Sequence, residues 1–318
     1  MNKEEITEAL LLEDFSLMYE EADHIRLVNK GDDVFIRAII EFSNVCARKC
    51  FYCGINAANN KVNRYRMSYR EITETAEAGI KAGYRTVVLQ SGEVRDEDPE
   101  WLGQIIKEIK KHDGVAVTLS VGEQDHDVLK YYRDCGADRY LLKHETADPE
   151  LYGKLHPDGT LEERIRCLRD IKALGYETGS GFMTGLPGQT AESIADDILL
   201  LKELECDMAG IGPFISHPDT PLAGAPHGDT EITRRAVALA RILLPEANLP
   251  VTTALGVLDP NERRKAFSCG ANVIMKKITP DIYKKDYCIY PAVFGRTEIE
   301  KDRIELEKLI EETDRRPI

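Results

Sequence analysis

The stretch VFIRAIIEFSNVCARKCFYCG, residues 34–54, holds the features that decide the fold. Its first half is an apolar run with several β-branched residues, as expected for a strand buried in a parallel sheet. Its second half carries Cys46, Cys50 and Cys53 in a CxxxCxxC spacing. These cysteines should occupy the loop at the carboxyl end of the strand, which is the end where α/β barrels carry their chemistry.

Further apolar stretches follow at regular intervals, separated by segments with helical periodicity. The other predicted strands are 85–93, 115–123, 138–146, 176–185, 207–214, 249–256 and 271–276. The predicted helices are 68–83, 98–112, 124–136, 160–174, 190–205, 230–243 and 260–268. Eight strands alternating with helices predict an α/β fold, a (β/α)8 TIM-type barrel, because right-handed crossovers make the strands parallel and eight of them close a ring. A doubly wound open sheet is the alternative.

The remaining sequence predicts extensions at both ends of the barrel. Residues 1–30 read as an N-terminal helical extension, and residues 31–280 as the barrel itself. Residues 281–318 are predicted to form a C-terminal helical tail that caps the barrel. Within this tail the charged run 298–316 reads as a solvated helix.

Composition excludes several classes of protein. A net charge of −14 does not suit a chain that wraps nucleic acid, which needs a concentrated basic surface. No apolar run approaches the roughly 20 residues of a membrane span, and the acidic first residues lack the apolar core of a signal peptide. We therefore expect a cytoplasmic protein with neither a nucleic acid nor a membrane as partner.

The eight cysteines are distributed unevenly. Five are single, and in a reducing compartment such thiols usually pack as small buried hydrophobes. The other three can bind three corners of a 4Fe–4S cluster and leave the fourth iron open, whereas a structural cluster normally has four cysteine ligands. A zinc knuckle is the alternative, but no histidine lies between His24 and His112, and the next cysteine is Cys135.

The CxxxCxxC motif with Tyr52 before its last cysteine resembles the radical S-adenosylmethionine (SAM) superfamily. The resemblance implies one oxygen-sensitive 4Fe–4S cluster on Cys46, Cys50 and Cys53, which are the catalytic residues and the metal ligands. It further implies that SAM binds the open iron and is reductively cleaved to methionine and a 5′-deoxyadenosyl radical. The protein's part is then to position the cofactor and to exclude competing reactions.

The same resemblance implies further SAM contacts. They are Tyr52, Gln90, Ser91, Gly92, Glu145, Arg164, Met183 and Ile211. Gln90 to Gly92 occupy the place of a turn that holds the SAM amino group, with Ser91 where the family has glycine. Glu145 suits the ribose hydroxyls and Arg164 the SAM carboxylate, for which a guanidinium fork is well shaped. The alternatives are a surface charge for Arg164 and core packing for Met183.

Longer segments resemble one family within the superfamily, the FeFe-hydrogenase maturase family HydE of the biotin synthase-like branch. They include IRAIIEFSNVC, RYRMS, VVLQSGE, VAVTLSVGE, GADRYLL, HETA, GLPGQT, GIGPFISHPDTPLA, RILLP and GANVIM, spread over roughly residues 35–295. The resemblance implies that the radical acts on a small, sulfur-containing, cysteine-derived substrate during H-cluster maturation. The implied partners are this substrate, a low-potential ferredoxin or flavodoxin as electron donor, and other hydrogenase maturases.

The family's substrate cavity, carried over position by position, implies nine residues. They are Arg37, Thr118, Arg139, Lys143, Thr252, Thr253, Met275, Tyr287 and Tyr290. Because a buried arginine is costly unless an anion neutralises it, Arg37 and Arg139 predict an anionic substrate. Thr252 and Thr253 cannot both face inward on a regular strand. Two departures from the family stand out: Lys143 replaces an arginine, and the C-terminal cysteines of a second cluster are absent.

Three other functions compete with this interpretation. Biotin synthase needs a second cluster ligated from the barrel strands, and the second, third and fifth strands here have no cysteine. Methylornithine synthase, a lysine carbon-skeleton mutase, uses one cluster and is the stronger rival. A non-catalytic carrier of an iron complex is the third.

Overall fold

The computed structural model describes residues 1–94, 98–293 and 295–318. Its helices are α1 (Lys3–Leu10), α2 (Ser16–Lys30), α3 (Tyr69–Lys81), α4 (Pro99–Ile109), α5 (His126–Asp134), α6 (Pro149–Leu155), α7 (Leu161–Ala173), α8 (Ala191–Glu203), α9 (Thr230–Leu243), α10 (Thr253–Leu258), α11 (Glu262–Phe267), α12 (Asp281–Lys284) and α13 (Ile299–Glu311). Its strands are β1 (Asp33–Ser43), β2 (Thr86–Ser91), β3 (Ala116–Ser120), β4 (Arg139–Leu141), β5 (Glu177–Ser180), β6 (Met183–Thr184), β7 (Met208–Ala209), β8 (Gly212–Pro213), β9 (Pro250–Val251), β10 (Val273–Lys277) and β11 (Arg316–Pro317).

Eight of these strands form a parallel barrel, as predicted. Their order around the sheet is β7, β5, β4, β3, β2, β1, β10 and β9. A parallel bridge between Met208 of β7 and Asn248, just before β9, joins the two ends of this sheet. The sheet is therefore a nearly closed barrel, and the doubly wound alternative is wrong.

The fifth and sixth predicted strands are each interrupted at a glycine. β5 gives way to β6 after Gly181, and β7 to β8 after Gly210, with β6 paired to β8 in a small separate sheet. A Cβ atom on Gly181 would lie 2.1 Å from the Gly210 carbonyl oxygen. Only glycine permits these two segments to approach so closely. The prediction of continuous strands over 176–185 and 207–214 is therefore wrong at this point.

The seventh predicted strand is shorter than the sequence suggested. The prediction ran over 249–256, but β9 ends at Val251 and α10 begins at Thr253. The apolar residues after Val251 therefore belong to a helix, because a short apolar run does not by itself distinguish a strand from a buried helix.

The helices begin where the sequence places their caps. Ser68, Thr160 and Thr190 each form a capping box at the start of a helix, and Asp98 caps α4 ahead of a proline. Gly83, at φ +98°, follows α3 in the left-handed conformation that ends helices. Among the described helices, none is long and apolar enough to cross a membrane.

The main core lies between the barrel and its surrounding helices. Every residue of β1 from Ile36 to Ser43 is buried. The charged residues Arg37 and Glu41 are among them. Of the five single cysteines, Cys135, Cys167, Cys206 and Cys269 are buried, as predicted for small hydrophobes.

The terminal segments pack on the outside of the barrel. α1 contacts α8, α2 contacts α9, and β11 pairs with the first residues of β1. α13 contacts α3 and buries Leu306 and Ile310, so the prediction of a fully solvated terminal helix is wrong for one face of α13. The division into an extension, a barrel and a capping tail stays a prediction.

Candidate active site

A cavity of about 350 Å³ lies inside the carboxyl end of the barrel. It extends from the loop that follows β1 down to Arg37 within β1. Most of the predicted site residues line it, namely Arg37, Cys46, Cys50, Tyr52, Cys53, Gln90, Ser91, Gly92, Lys143, Glu145, Arg164, Met183, Thr252, Thr253, Met275, Tyr287 and Tyr290. Barrels bind their ligands at this face, so the cavity is the candidate active site.

The three cysteines of the motif lie in the long loop between β1 and α3. The guanidinium of Arg64 holds this loop in shape by donating to the carbonyl oxygens of Asn44 and Ile55, each at 2.7 Å. The backbone N–H of Phe51 donates to the carbonyl oxygen of Leu155 at 2.9 Å, which ties the loop to α6. Because the loop is fixed from both sides, the thiols are presented to the cavity by a defined backbone.

Burial affects the chemistry of these thiols in the metal-free protein. It raises the pKa of Cys50 to about 12 and raises the pKa of Cys46 and Cys53 as well. Metal ligands must be thiolates, so cluster binding would release these protons. Within the described ranges, no group of three or more His, Cys, Asp or Glu side chains is arranged to hold a single metal ion. Three thiols around one cavity fit a cluster, whose irons are each bound by a separate thiolate.

Tyr52, the aromatic residue of the motif, is hydrogen bonded to His156. Its hydroxyl lies 2.9 Å from His156 Nε2, while His156 Nδ1 lies 3.1 Å from the carbonyl oxygen of Tyr152. Nδ1 must carry the proton to donate to a carbonyl, so Nε2 accepts from Tyr52. Burial, assisted by the charge of Arg164, lowers the pKa of His156 to about 4.

This pKa predicts that His156 weakens the fold in acid. In the unfolded chain His156 titrates near 6.5, so between about pH 6.5 and about pH 4 only the unfolded state gains a proton. The free energy of unfolding should therefore fall as the pH drops through this window, by up to about 1.4 kcal/mol per pH unit from this one group. Above it, both states are neutral and His156 contributes no pH dependence.

The check is urea unfolding of wild type and His156→Phe at a series of pH values. Phenylalanine keeps the stacking on Tyr152, whose ring centroid lies 4.0 Å from that of His156. We expect the stability curves of the two proteins to converge towards acid pH. Curves that stay parallel throughout the window would contradict the assignment. His144, whose pKa burial lowers to about 3, is present in both proteins and cancels.

Two arginines and two glutamates form a buried charge network beside the cysteine loop. Arg164 forms ion pairs with both glutamates: its Nε lies 2.8 Å from Glu123 Oε1 and its Nη2 lies 3.8 Å from Glu93. Arg48, between the first two cysteines, bonds Glu93 through Nε at 2.5 Å and Glu123 through Nη2 at 2.7 Å. Arg164 is 8% exposed, so it is not the surface charge that was the alternative. The network connects the cysteine loop to Arg164.

The turn at the end of β2 lies directly against this loop. A Cβ atom on Gly92 would come within 2.3 Å of the Val45 carbonyl oxygen and 2.6 Å of Cys46 Cβ. The Gly92 N–H donates to the carbonyl oxygen of Ser43 at 3.0 Å. Glycine is therefore required at position 92 for the turn and the first cysteine to meet.

Glu145 and Lys143 form an ion pair in the opposite wall, with Nζ and Oε2 3.0 Å apart. Glu145 has φ +65°, a left-handed conformation that residues other than glycine rarely adopt. Met183, in β6, packs against a small apolar cluster of Leu151, Leu155, Leu186 and Phe214. That cluster also contacts Tyr52, so it connects this wall to the cysteine loop.

The lower part of the cavity is formed by strand residues. Arg37 of β1 and Met275 of β10 are register partners. Thr252 and Thr253 both line the cavity because β9 has ended before them, which removes the alternation that would have separated them. Tyr287 accepts a hydrogen bond at its hydroxyl from Gln90 at 3.1 Å.

Three predicted residues lie outside the cavity wall. Ile211 is fully buried in the core, and the flanking Gly210 and Gly212 line the cavity in its place. Thr118 is buried in the middle of β3. Arg139 is the first residue of β4, at the amino end of the barrel, where its Nε donates to Glu177 at 2.6 Å. The pattern of alternation gives the face of a strand residue but not its level in the barrel, and a role for these three residues in the site stays a prediction.

Among the described residues, four charged residues that line the cavity were not predicted as site residues. They are Arg48, Glu93, Glu41 and Lys277. Glu41 is 1% exposed and pairs with Lys277 at 2.6 Å. The segments VVLQSGE and VAVTLSVGE both end in Gly-Glu at the carboxyl ends of neighbouring strands, and this was the available signal for Glu93 and its partner Glu123.

Comparisons with known proteins show the family to which the chain belongs. Residues 40–201 match the model of the radical SAM superfamily. The FeFe hydrogenase maturase subunit HydE of Thermotoga maritima is 51% identical over 293 residues, covering 91% of this chain and 84% of that protein. The 3-methylornithine synthase of Methanosarcina acetivorans is 29% identical over 271 residues, covering 85% of this chain and 76% of that one.

Among solved structures, a crystal structure of methylornithine synthase (PylB) superposes with a TM-score of 0.87 at 25% identity. The superposition covers 100% of this chain and 94% of that chain. The likeness therefore extends over the whole barrel and its extensions, and the sequence identity is higher to the maturase than to the synthase. The chain belongs to the radical SAM superfamily of enzymes and, within it, to the HydE family of FeFe hydrogenase maturases.

Proposed function

We propose that this enzyme reductively cleaves SAM at one 4Fe–4S cluster and acts on a small, anionic, cysteine-derived sulfur compound during maturation of the FeFe hydrogenase cofactor. The observation that carries the proposal is the arrangement of Cys46, Cys50 and Cys53 around a cavity that also contains Arg164 and Glu145. When bound, the cluster and SAM would supply a low-potential electron and the 5′-deoxyadenosyl radical. The residues of the chain bind, orient and enclose the reactants.

The cavity provides a group for each polar part of SAM. The three cysteines would hold the cluster, and Arg164 would pair with the SAM carboxylate. The backbone of Gln90, Ser91 and Gly92 would hold the amino group, since this turn meets the loop of Cys46. Glu145 would accept hydrogen bonds from the ribose hydroxyls, with Met183 beside the adenine.

The deeper end of the cavity favours an anion as substrate. Arg37 is 6% exposed, and its Nε has no hydrogen-bond partner among the described residues. Burial and the nearby charge of Arg139 lower the pKa of Arg37 to about 9, so it is still a cation at neutral pH. A buried guanidinium without an anion is costly, and a substrate carboxylate would remove that cost.

A hydroxyl group of the cavity wall is also without a partner. Among the described residues, Oγ1 of Thr252 is buried and makes no hydrogen bond. Thr252 and Thr253 line the cavity, as do Met275, Tyr287 and Tyr290. Lys143, another cation that lines the cavity, is paired with Glu145. Buried polar groups normally have partners, so Thr252 Oγ1 and Arg37 Nε support a polar ligand at this level.

The partners follow from the same proposal. A low-potential ferredoxin or flavodoxin would deliver the electron, and other hydrogenase maturases would supply the substrate or receive the product. A cytoplasmic location suits such partners.

The first test is SAM cleavage by the anaerobically reconstituted protein with dithionite. We expect one cluster per chain and release of methionine and 5′-deoxyadenosine. A protein that binds SAM and the cluster but releases no 5′-deoxyadenosine would be the non-catalytic carrier instead, and the proposal would be wrong.

The second test separates the maturase from the mutase. Coexpression with the other maturases should yield an active FeFe hydrogenase, and omission of this protein should lower that activity. The competing methylornithine synthase activity is favoured by the superposition on that enzyme. Conversion of lysine to methylornithine, together with no effect on the hydrogenase, would overturn the maturase proposal.

A further inference from the structure

The segments HETA (144–147) and GLPGQT (185–190) come together behind the cavity wall, and apart from Glu145 the proposed function gives their residues no role. The side chain that joins them is Asp197 of α8, which is fully buried. One of its carboxylate oxygens, Oδ1, accepts from the backbone N–H of Ala147. The other, Oδ2, accepts from Gln189 Nε2 at 3.2 Å. One carboxylate therefore holds both segments.

His144 completes this arrangement from the other side. Its Nε2 lies 3.4 Å from Asp197 Oδ1, and its Nδ1 lies 2.9 Å from the hydroxyl of Ser180. That hydroxyl also accepts from the backbone N–H of His144 at 3.2 Å. The serine hydrogen can therefore point to Nδ1, which leaves the imidazole proton on Nε2. At 3.4 Å this nitrogen is in contact with the Asp197 carboxyl group without a hydrogen bond.

Gln189 extends the contacts to the strand of Met183. Its Nε2 donates to the carbonyl oxygen of Met183 at 2.8 Å, and its Oε1 accepts from the N–H of Gly185 at 2.6 Å. The N–H of Met183 in turn donates to the carbonyl oxygen of Glu145 at 3.1 Å. The backbone of Met183 is thus fixed to both Gln189 and Glu145.

Glu145 is the residue that needs such support. At φ +65° a non-glycine residue is strained, and it keeps that conformation only where its surroundings enforce it. Asp197 contacts His144, immediately before Glu145, and Ala147, two residues after it. The strained residue is therefore held on both sides by one buried side chain.

A purely structural role would not require a carboxylate here. Position 197 lies on the buried face of α8 together with Ile194, Ile198 and Leu201, and burial raises the pKa of Asp197 well above its usual value. A buried carboxyl is expensive compared with an apolar residue of similar size. The contacts that offset this free-energy cost lie in the segments 144–147 and 185–190, next to Glu145 and Met183.

We infer that Asp197, Gln189 and His144 are positioning residues, which fix the Glu145 carboxylate and the Met183 backbone for the adenosyl part of SAM. The inference rests on the proposed function, which assigns SAM to this wall. It predicts that disturbing the set weakens SAM binding without disturbing the cluster.

The test compares Asp197→Asn with Asp196→Asn in the reconstituted, cluster-containing enzyme. Asparagine preserves the size of the side chain but cannot accept from both Ala147 and Gln189. Asp196 is the adjacent position on α8, is 39% exposed at its side chain and pairs with Lys3, so it is a matched control. SAM affinity is read from the change in the electron paramagnetic resonance signal of the reduced cluster as SAM is added.

We expect Asp197→Asn to raise the SAM dissociation constant at least about tenfold, in line with other supporting residues of metal sites. The cluster signal without SAM and the cluster content should equal those of wild type, and amide exchange at 144–147 should accelerate. Asp196→Asn should match wild type in all three. Equal SAM affinity in Asp197→Asn and wild type, or an equal loss in Asp196→Asn, would overturn the inference.

A second variant tests the direct contact. Gln189→Met removes the N–H donor to both the Asp197 carboxyl group and the Met183 carbonyl oxygen. It should also raise the SAM dissociation constant, and wild-type SAM affinity in Gln189→Met would count against the contact. If Asp197→Asn does not fold, Gln189→Met decides the question, because position 189 is only half-buried.

Glu145→Ala separates the inference from the proposal on which it rests. If Glu145→Ala binds SAM as tightly as wild type, the assignment of SAM to this wall fails. If Glu145→Ala weakens SAM binding and Asp197→Asn does not, only the positioning role fails. Weakening in both variants supports the two together.

Discussion

Replacement of any one of Cys46, Cys50 and Cys53 by alanine should abolish SAM cleavage, with a fall of at least roughly a thousandfold in 5′-deoxyadenosine formation. Each thiolate would hold one iron, and the remaining two ligands cannot retain a cluster with one site free for SAM. The barrel should stay folded because the cysteines are partly exposed and Arg64 holds the loop through backbone carbonyls. Iron content measures the loss of the cluster, and 5′-deoxyadenosine formation measures the loss of SAM cleavage. Circular dichroism shows whether the barrel stays folded.

Cys135→Ala is the matched control for these variants. Cys135 is 5% exposed and caps α5 away from the cavity, so its loss should cost about 1 kcal/mol of stability and leave the cluster intact. A variant of one of the three motif cysteines with wild-type iron content and SAM cleavage would show that the cluster has other ligands.

Arg164→Gln should have the second largest effect, on both SAM affinity and stability. Without this guanidinium, Glu93 and Glu123 share only Arg48 as a neighbouring arginine of the network. Breaking a buried ion pair leaves an uncompensated charge, and we expect a loss of about 3 kcal/mol in the free energy of unfolding. The SAM carboxylate loses its cation as well, so affinity should fall by about a hundredfold or more.

Two further variants separate the causes of this effect. Arg164→Lys keeps the charge but not the fork, so it should restore much of the stability and less of the SAM affinity. Arg166→Gln removes an exposed arginine of the same helix and should change neither. Stability is measured by urea unfolding, and affinity by titration of the reduced cluster. Arg164→Lys with wild-type affinity for SAM would contradict the role of the fork.

Most of the barrel could be predicted because its local signals agree with its global structure. Helix caps such as Ser68 and Thr160 mark the starts of helices in the sequence, and runs such as 115–121 have the composition of buried strands. The breaks at Gly181 and Gly210 could not be predicted, because they depend on the approach of two distant segments of chain. The same holds for α10, which follows a strand of only two residues.

The part of the candidate site that was predicted comes from the spacing of the cysteines and from the resemblance to a known family. The cysteines, Glu145 and Arg164 reach one cavity from different elements of the fold. The charges that organise this cavity were missed, since Arg48 meets Glu93 and Glu123 only in three dimensions. The level of Arg139 in the barrel could not be predicted for a related reason: the sequence does not give the stagger of neighbouring strands, which sets how deep in the barrel a residue lies.

The left-handed conformation of Glu145 has a consequence for engineering this enzyme. Glycine adopts such a conformation without steric strain, so a library selected only for thermostability should be drawn towards glycine at position 145. The variants so enriched would lack the carboxylate proposed to bind the ribose. At position 145 a substitution that raises stability would lower activity, so Glu145 should be kept when the enzyme is stabilised by mutation.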